Sequence, residues 1–291
     1  MVAVMGEVWR LIRGTGRPAE NMALDAAMAW AVGEGLAPPT LRLYRWDPPA
    51  VSLGYAQRRD LALDLAACAR AGLAVVSRPT GGRAVLHAGD LTYAVAVPRR
   101  GSWGACGVAA SCRRIHEAVA AGLRRLGVPA EVAGSRPAAG ARPGEGRALC
   151  FTAVSAHEIT VAGRKLVGSA QRRFRDAVLQ HGSIPLVTER ARLAALVLWD
   201  PGDALRALEE TMVSLEEVLG RPPDVEAVAA AVAGGFAATF GAQFAEAPWH
   251  PAEEAMAARL EAPRAAAEGP RAHAGSAADT LTPCGASGTL S

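Results

Sequence analysis

The sequence predicts an α+β fold, on two observations. Short apolar strands are mixed with amphipathic helices instead of alternating in regular βαβ units, and several neighbouring strands are spaced to pair as hairpins. Composition supports this: 291 residues at 51% hydrophobic allow one large domain or two small ones with a real core. Aromatic residues make up only 5%, so Ala, Val and Leu must do most of the packing.

The elements follow in order. Residues 8–12 read as a first strand. Residues 18–34 carry Met22, Ala26 and Trp30 at near-helical spacing, and Gly35 is a helix stop. Alternation over 40–46 gives a half-buried strand, and 50–53 a short one. A helix is expected from about residue 60 to 71, ended by Gly72. Strands at 74–76 and 84–87 bracket a glycine loop, and 91–97 is a further strand. Residues 107–126 place Ile115, Val119, Leu123 and Leu126 on one face of an amphipathic helix. Residues 134–148 hold Gly, Pro, Ala and Arg with almost no large apolar group, the composition of a mobile loop.

After that loop, 157–161 and 164–170 read as a hairpin turning at Ala162-Gly163, and 177–186 as another strand. The remainder is helical: 189–196, 203–219 up to Gly220, 224–240 after Pro222-Pro223, and a short helix at 253–260. Beyond Glu261 the composition shifts to Ala, Gly, Ser, Thr and Pro. Such a segment cannot bury enough surface to offset its chain entropy. The expected organisation is therefore a folded domain over 1–261 and a disordered tail over 262–291.

Charge and cysteine content narrow the function. The net charge is +3, from 31 basic and 28 acidic residues, and the arginines are scattered, unlike the basic stripe of a nucleic-acid binder. No basic segment leads an apolar core at the N-terminus, and no run of about eighteen apolar residues occurs without charges, so neither secretory leader nor membrane span is expected. The five cysteines, at 68, 106, 112, 150 and 284, are odd in number and irregular in spacing. Cys106 and Cys112 lie too far apart for a C-x₂₋₄-C zinc pair. These features predict a reduced, cytoplasmic protein without a metal site, in which Cys68, Cys106 and Cys112 are inert core thiols.

Cys150 stands apart because it ends the loop and precedes Phe151 and a hairpin carrying Lys165. A thiolate can attack a thioester, a neighbouring ammonium can favour its ionised form, and amides of the small-residue run Gly168-Ser169-Ala170 can receive a developing oxyanion. Upstream, Arg78-Pro79-Thr80-Gly81-Gly82-Arg83-Ala84-Val85-Leu86-His87 surrounds a glycine pair that suits backbone passing close to a ligand. Taken singly, Lys165 reads as a solvated hairpin residue, the glycine pair as a tight turn, and His87 and His181 as satisfied core histidines.

Taken together, these runs resemble the catalytic module shared by lipoate–protein ligases, biotin ligases and octanoyltransferases. Further landmarks are Glu20-Asn21-Met22-Ala23 with Asp25, Ser52-Leu53-Gly54-Tyr55, and Gly89-Asp90-Leu91-Thr92-Tyr93. The cysteine before Phe151 is most similar to the octanoyl-[acyl-carrier-protein]:protein octanoyltransferase branch of lipoate synthesis. Two departures are Ser77, where relatives often carry a second arginine, and Arg83, where ligases tend to show a third glycine.

The resemblance covers roughly residues 7–260. It implies a mixed, mostly antiparallel sheet flanked by helices, with a smaller sheet alongside. It also implies Cys150 and Lys165 as catalytic residues, and Arg78, Gly81, Gly82, Arg83, His87, Gly168, Ser169, Ala170 and His181 as substrate-binding residues. The implied partners are octanoyl-acyl-carrier protein and either a lipoyl domain or the glycine-cleavage H protein. No cofactor is implied, since a thioester is already activated. Three alternatives stay open: an ATP-dependent lipoate–protein ligase, an octanoyl amidotransferase between carrier proteins, and a non-enzymatic module that binds acylated proteins.

Overall fold

Strand β6 (Asp90–Pro98) is buried on both faces along almost its whole length, and such a strand belongs inside a sheet covered on both sides. The computed structural model, which describes residues 7–58, 63–134, 149, 151, 157–261 and 281–283, places it there. The chain order among these residues is β1 (Val8–Gly16), α1 (Pro18–Glu34), β2 (Thr40–Trp46), β3 (Ala50–Leu53), α2 (Leu65–Arg70), β4 (Ala74–Ser77), β5 (Val85–His87) and β6. It continues through α3 (Gly101–Ala105), α4 (Val108–Arg124), β7 (Glu131–Val132), β8 (Ile159–Val161), β9 (Arg164–Arg173) and β10 (Ala177–Pro185). Last come α5 (Arg190–Ala194), α6 (Pro201–Thr211), α7 (Leu215–Leu219), α8 (Val225–Phe240), β11 (Gln243–Glu246), α9 (Pro251–Glu261) and β12 (Leu281–Pro283).

The large sheet runs β11-β1-β2-β6-β10-β9-β8-β7, with β12 also on β9, and the small sheet runs β4-β3-β5. β1 is parallel to both its neighbours, whereas the other pairs of the large sheet are antiparallel. This is the mixed, mostly antiparallel sheet flanked by helices that the resemblance implied, with a β1-α1-β2 crossover added at one end.

Each face of the large sheet buries one helical stripe. On one side, Ile115, Val119 and Leu123 of α4 and Val228, Val232 and Phe236 of α8 pack on Leu41, Leu43, Tyr93 and Val95. Each such aliphatic side chain contributes about 1.5–3 kcal/mol when fully buried. The two helices cross at glycines: a Cβ on Gly235 would lie 2.2 Å from the Ala118 carbonyl oxygen, and one on Gly122 2.5 Å from that of Ala231. On the other side, Met28 and Val32 of α1 pack on Tyr44, Ala94 and Leu179. The small sheet has its own core, in which Val51, Leu53, Val85 and Leu86 meet Leu149, Phe151 and Met212.

Several elements differ from the expectation. The single helix expected over 203–219 is two, because Ser214 forms a capping box with Glu217 and starts α7 afresh. The preceding Met212 bridges to Lys165. Strands β7 and β11 were not legible, being short and largely exposed, with little alternation to read. Within the segment read as a disordered tail, residues 281–283 form β12, with Leu281 opposite Arg172 and Pro283 opposite Ala170. The loop read over 134–148 lies outside the described residues except for Gly134. Cys68 and Cys106 are free thiols, but Cys112, read as an inert core thiol, is disulfide-bonded. Among the described residues no helix is long and apolar enough to cross a membrane.

Helix α9 is fastened by one buried ion pair. Arg10 on β1 grips Glu253 with two hydrogen bonds, of 2.6 and 2.5 Å, and the two side chains are 5% and 0% exposed. Removing one partner of such a pair leaves a buried charge uncompensated, at a cost of about 3–5 kcal/mol. Glu253→Ala is accordingly expected to lower the unfolding free energy by about that amount, read from the midpoint of a urea transition with unchanged slope.

Candidate active site

A cavity of about 340 Å³, part of it open to solvent, lies among α1, the large sheet and the small sheet. Strand register decides its floor. Gly168, Ser183, Thr92 and Tyr44 oppose one another in a row across β9, β10, β6 and β2, and all four line the cavity. Facing them are Ser52, Arg78, Val85 and His87 from the small sheet and the loop after β4, with Met22 from α1.

Two histidines tie the sheets together. His181 on β10 has Nδ1 2.9 Å from Asp25 and Nε2 2.5 Å from the Thr80 hydroxyl in the glycine loop. His87 on β5 has Nδ1 2.8 Å from Asp90 on β6 and Nε2 2.8 Å from the Ser52 hydroxyl. A carboxylate only accepts, so in each case Nδ1–H donates to the aspartate and Nε2 accepts from the hydroxyl; these tautomers are inferred from the network. Arg78 donates to the Ser52 hydroxyl as well, at 3.2 Å, which leaves the serine proton for His87.

Asp25 is completely buried, which by itself would raise its pKa. The hydrogen bond from His181 and the charge of Arg42, 2.7 Å away, outweigh burial and hold it below the usual carboxylate value. Asp90 is held low in the same way against burial, through His87, Ser183 and Thr92. Burial pushes the His181 pKa down, only partly offset by Asp25. The polar groups of the cavity wall thus satisfy one another, so an apolar chain can lie against them without stranding a donor.

Arg78 and the glycine pair act as a unit. The guanidinium donates to the carbonyl oxygens of Ser52, Gly81 and Arg83 at 2.7–3.0 Å, so it shapes the loop as well as lining the cavity. Gly82 has φ +92°, and a Cβ on Gly54 would lie 2.0 Å from the Gly82 carbonyl oxygen. Gly54 excludes a side chain because the loop rests directly on the turn after β3, and Gly82 because of its positive φ and the Arg78 guanidinium, 2.6 Å from where its Cβ would lie. Gly81, Gly82 and Arg83 therefore form the frame of the cavity, while Arg78, His87, Gly168, Ser169, Ala170 and His181 line it.

Lys165 reaches its place through a bulge. Val167 pairs with Ile159 but Lys165 with Thr160, so β9 carries one extra residue there, which turns the side chains that follow. Leu166 and Val167 then both enter the core beside α4. Lys165 is 1% exposed, with Nζ 2.5 Å from Glu158 and 5.3 Å from the centre of the Phe151 ring. Cys150 itself lies outside the described residues. Its neighbours do not: Leu149 bridges to Ala84 after the glycine loop, and the Phe151 carbonyl accepts from the Thr211 hydroxyl at 2.8 Å.

Asp25, Asp90, Ser52 and Thr80 are site residues to which sequence reasoning gave no role. The available signal was Asp25 four residues after Asn21, a polar pair on the face of a helix whose other inward residues are mostly apolar. Among the described residues, no three His, Cys, Asp or Glu side chains converge as a metal site requires.

Comparison with known proteins agrees with this architecture. The family model of the lipoyl protein ligase A/B catalytic domain matches residues 17–237. Octanoyltransferase LipM of Moorella thermoacetica is 41% identical over 90% of this chain and 97% of its own length. Octanoyltransferase LipM of Kyrpidia tusciae is 44% identical over 81% and 89%. Among solved structures, the bipartite lipoate protein ligase of Thermoplasma acidophilum superposes with a TM-score of 0.72 at 24% identity, covering 89% of this chain and 93% of that one.

The buried histidines make stability pH-dependent. His116 on α4 is fully buried, with Nδ1 2.5 Å from the His157 carbonyl oxygen and Nε2 without a partner among the described residues. Burial, against that hydrogen bond and reinforced by the charge of Lys165, lowers its pKa from 6.5 to about 4. The folded pKa lies below the unfolded one, so the unfolded chain binds more protons between these values and stability falls as pH drops through them. His181 acts with the same sign. Going from pH 6.5 to 5, the wild type should lose about 1.5 kcal/mol on account of His116 alone. Urea denaturation of His116→Asn should show a correspondingly smaller loss.

Proposed function

Because the chain belongs to the lipoyl protein ligase A/B catalytic-domain family and matches octanoyltransferases over most of its length, it is an acyltransferase, and we propose that it moves octanoyl from octanoyl-acyl-carrier protein to a protein lysine by way of Cys150. The acceptor is a lipoyl domain or the glycine-cleavage H protein, and the setting is the cytoplasm. The observation that favours the covalent route is the way the neighbours of Cys150 are held: Leu149 against the exit of the glycine loop, Phe151 beneath Lys165.

In the first step the Cys150 sulfur forms a bond to the thioester carbonyl carbon, and the carbonyl oxygen takes the negative charge. Amides of Gly168 to Ala170 receive that charge, the bond to the carrier sulfur breaks, and the carrier leaves as a thiolate that takes a proton from solvent. In the second step the neutral amine of the acceptor lysine attacks the new thioester. The amide forms as the bond from the carbonyl carbon to the Cys150 sulfur breaks, the amine proton passes to solvent, and Cys150 is restored as the thiolate. The energy of the thioester drives both steps, so the reaction calls for neither ATP nor metal.

Lys165 favours the Cys150 thiolate electrostatically. Its pairing with Glu158 sharpens the consequence of removing it: Lys165→Ala would leave a buried carboxylate in its place, which opposes ionisation of a nearby thiol. Residues 1–261 constitute the catalytic domain in this reading.

Three outcomes are expected. Exposed to octanoyl-acyl-carrier protein without ATP, the protein should gain one octanoyl group by intact mass. Cys150→Ser should gain none, and strict dependence on ATP would favour a lipoate–protein ligase instead. The alkylation profile of Cys150 should move upward in Lys165→Ala, towards or beyond the free-thiol value of about 8.5, while Lys165→Arg restores part of the reactivity. Finally, truncation after Ala262 should retain transfer activity and thermal midpoint; a large loss of either would make β12 part of the working domain.

A further inference from the structure

The row Gly168–Ser183–Thr92–Tyr44 crosses four adjacent strands, which makes it a ruler. Neighbouring strands lie about 4.8 Å apart, so Gly168 to Thr92 spans about 9–10 Å. At Thr92 the trough meets the indole of Trp46. Its Nε1 donates to the Thr92 hydroxyl at 2.8 Å, and the ring stacks on His87 with centroids 3.9 Å apart and planes at 13°. His87 is in turn held by Asp90 and Ser52. The indole is therefore fixed by a hydrogen bond at its edge and an imidazole on its face, and it lines the cavity.

We propose that Trp46 is the chain-length stop of the acyl pocket, admitting an eight-carbon chain and excluding substantially longer ones. The inference rests on the reading of Gly168 to Ala170 as the end where the acyl carbonyl reacts. From there an extended eight-carbon chain, with C–C bonds of about 1.5 Å and angles near 111°, spans about 9 Å. That is the distance at which the row reaches Thr92 and the overlying indole. Tyr44, one strand further on, has its hydroxyl tied to Asp25 at 2.8 Å and forms the wall behind the stop.

The test compares transfer from hexanoyl, octanoyl, decanoyl and dodecanoyl thioesters of acyl carrier protein by wild type, Trp46→Phe and Trp46→Leu. A parallel measurement follows the shift of thermal midpoint by the free fatty acids of the same lengths. Wild type should peak at eight carbons. Both variants should raise kcat/KM for the ten- and twelve-carbon substrates relative to octanoyl, the leucine variant by tenfold or more. Twelve-carbon acid should stabilise the variants but not the wild type.

An unchanged length profile in folded variants would overturn the assignment of Trp46. If Trp46→Leu fails to fold, the milder Trp46→Phe decides the matter, with a shift towards ten carbons expected and an unchanged optimum counting against it. Should the wild type transfer no acyl group at all, the function proposed above fails. The fatty-acid midpoints then still report on the stop, and a cut-off near eight carbons that moves in the variants would uphold it.

Discussion

The carboxylate of Asp25 is the point on which the site depends. It lies on α1 with no solvent exposure, yet accepts hydrogen bonds from Arg42 and Tyr44 on β2 and from His181 on β10. An isolated carboxylate could not be buried there, because the desolvation cost would far exceed any packing gain. With three donors converging, it becomes the junction that fixes α1 against two strands and orients the imidazole that holds Thr80 of the glycine loop. The second pair, Asp90 and His87, runs in the opposite sense, from the large sheet to β5. Together they set the separation of the two sheets, and that separation is the cavity.

A single irregularity does comparable work at Lys165. Strict alternation along β9 would send Lys165 to the same face as Val167 and Ser169, against α4. The bulge opposite Thr160 breaks that alternation and brings the ammonium against Phe151, next in sequence to Cys150. The lysine arrives already paired with Glu158. A buried ammonium needs such a partner, and the pair makes the lysine a fixed dipole whose position matters as much as its charge.

The cavity has a polar lining whose groups are spent on one another. Ser183, Thr92, His87 and His181 all face it, but each is engaged with a neighbour within the wall. What remains towards the interior is mostly carbon, with Met22, Val85 and the Trp46 indole. The polar groups supply rigidity, since a network with every member satisfied has little freedom to rearrange.

Much of this was legible in the sequence because it is local. The 18–34 helix is announced by its apolar period and by Pro18 and Gly35, and its observed limits, Pro18–Glu34, coincide with that reading. Alternation located β2, and the run from Arg78 to His87 around the glycine pair marked one wall of the cavity. What the sequence could not express is register. Whether Asp25 meets His181, 156 positions away, or whether Gly168, Ser183 and Thr92 fall into one row, depends on how strands are paired, and pairing is decided by the packing of whole faces. The split at Ser214 and the bulge before Val167 have nearer causes, a capping box with Glu217 and an irregularity in the β8–β9 hairpin. Composition and local pattern therefore determined the elements and the chemistry available, while tertiary structure alone decided which side chains share a face, because burial and hydrogen bonding act through space.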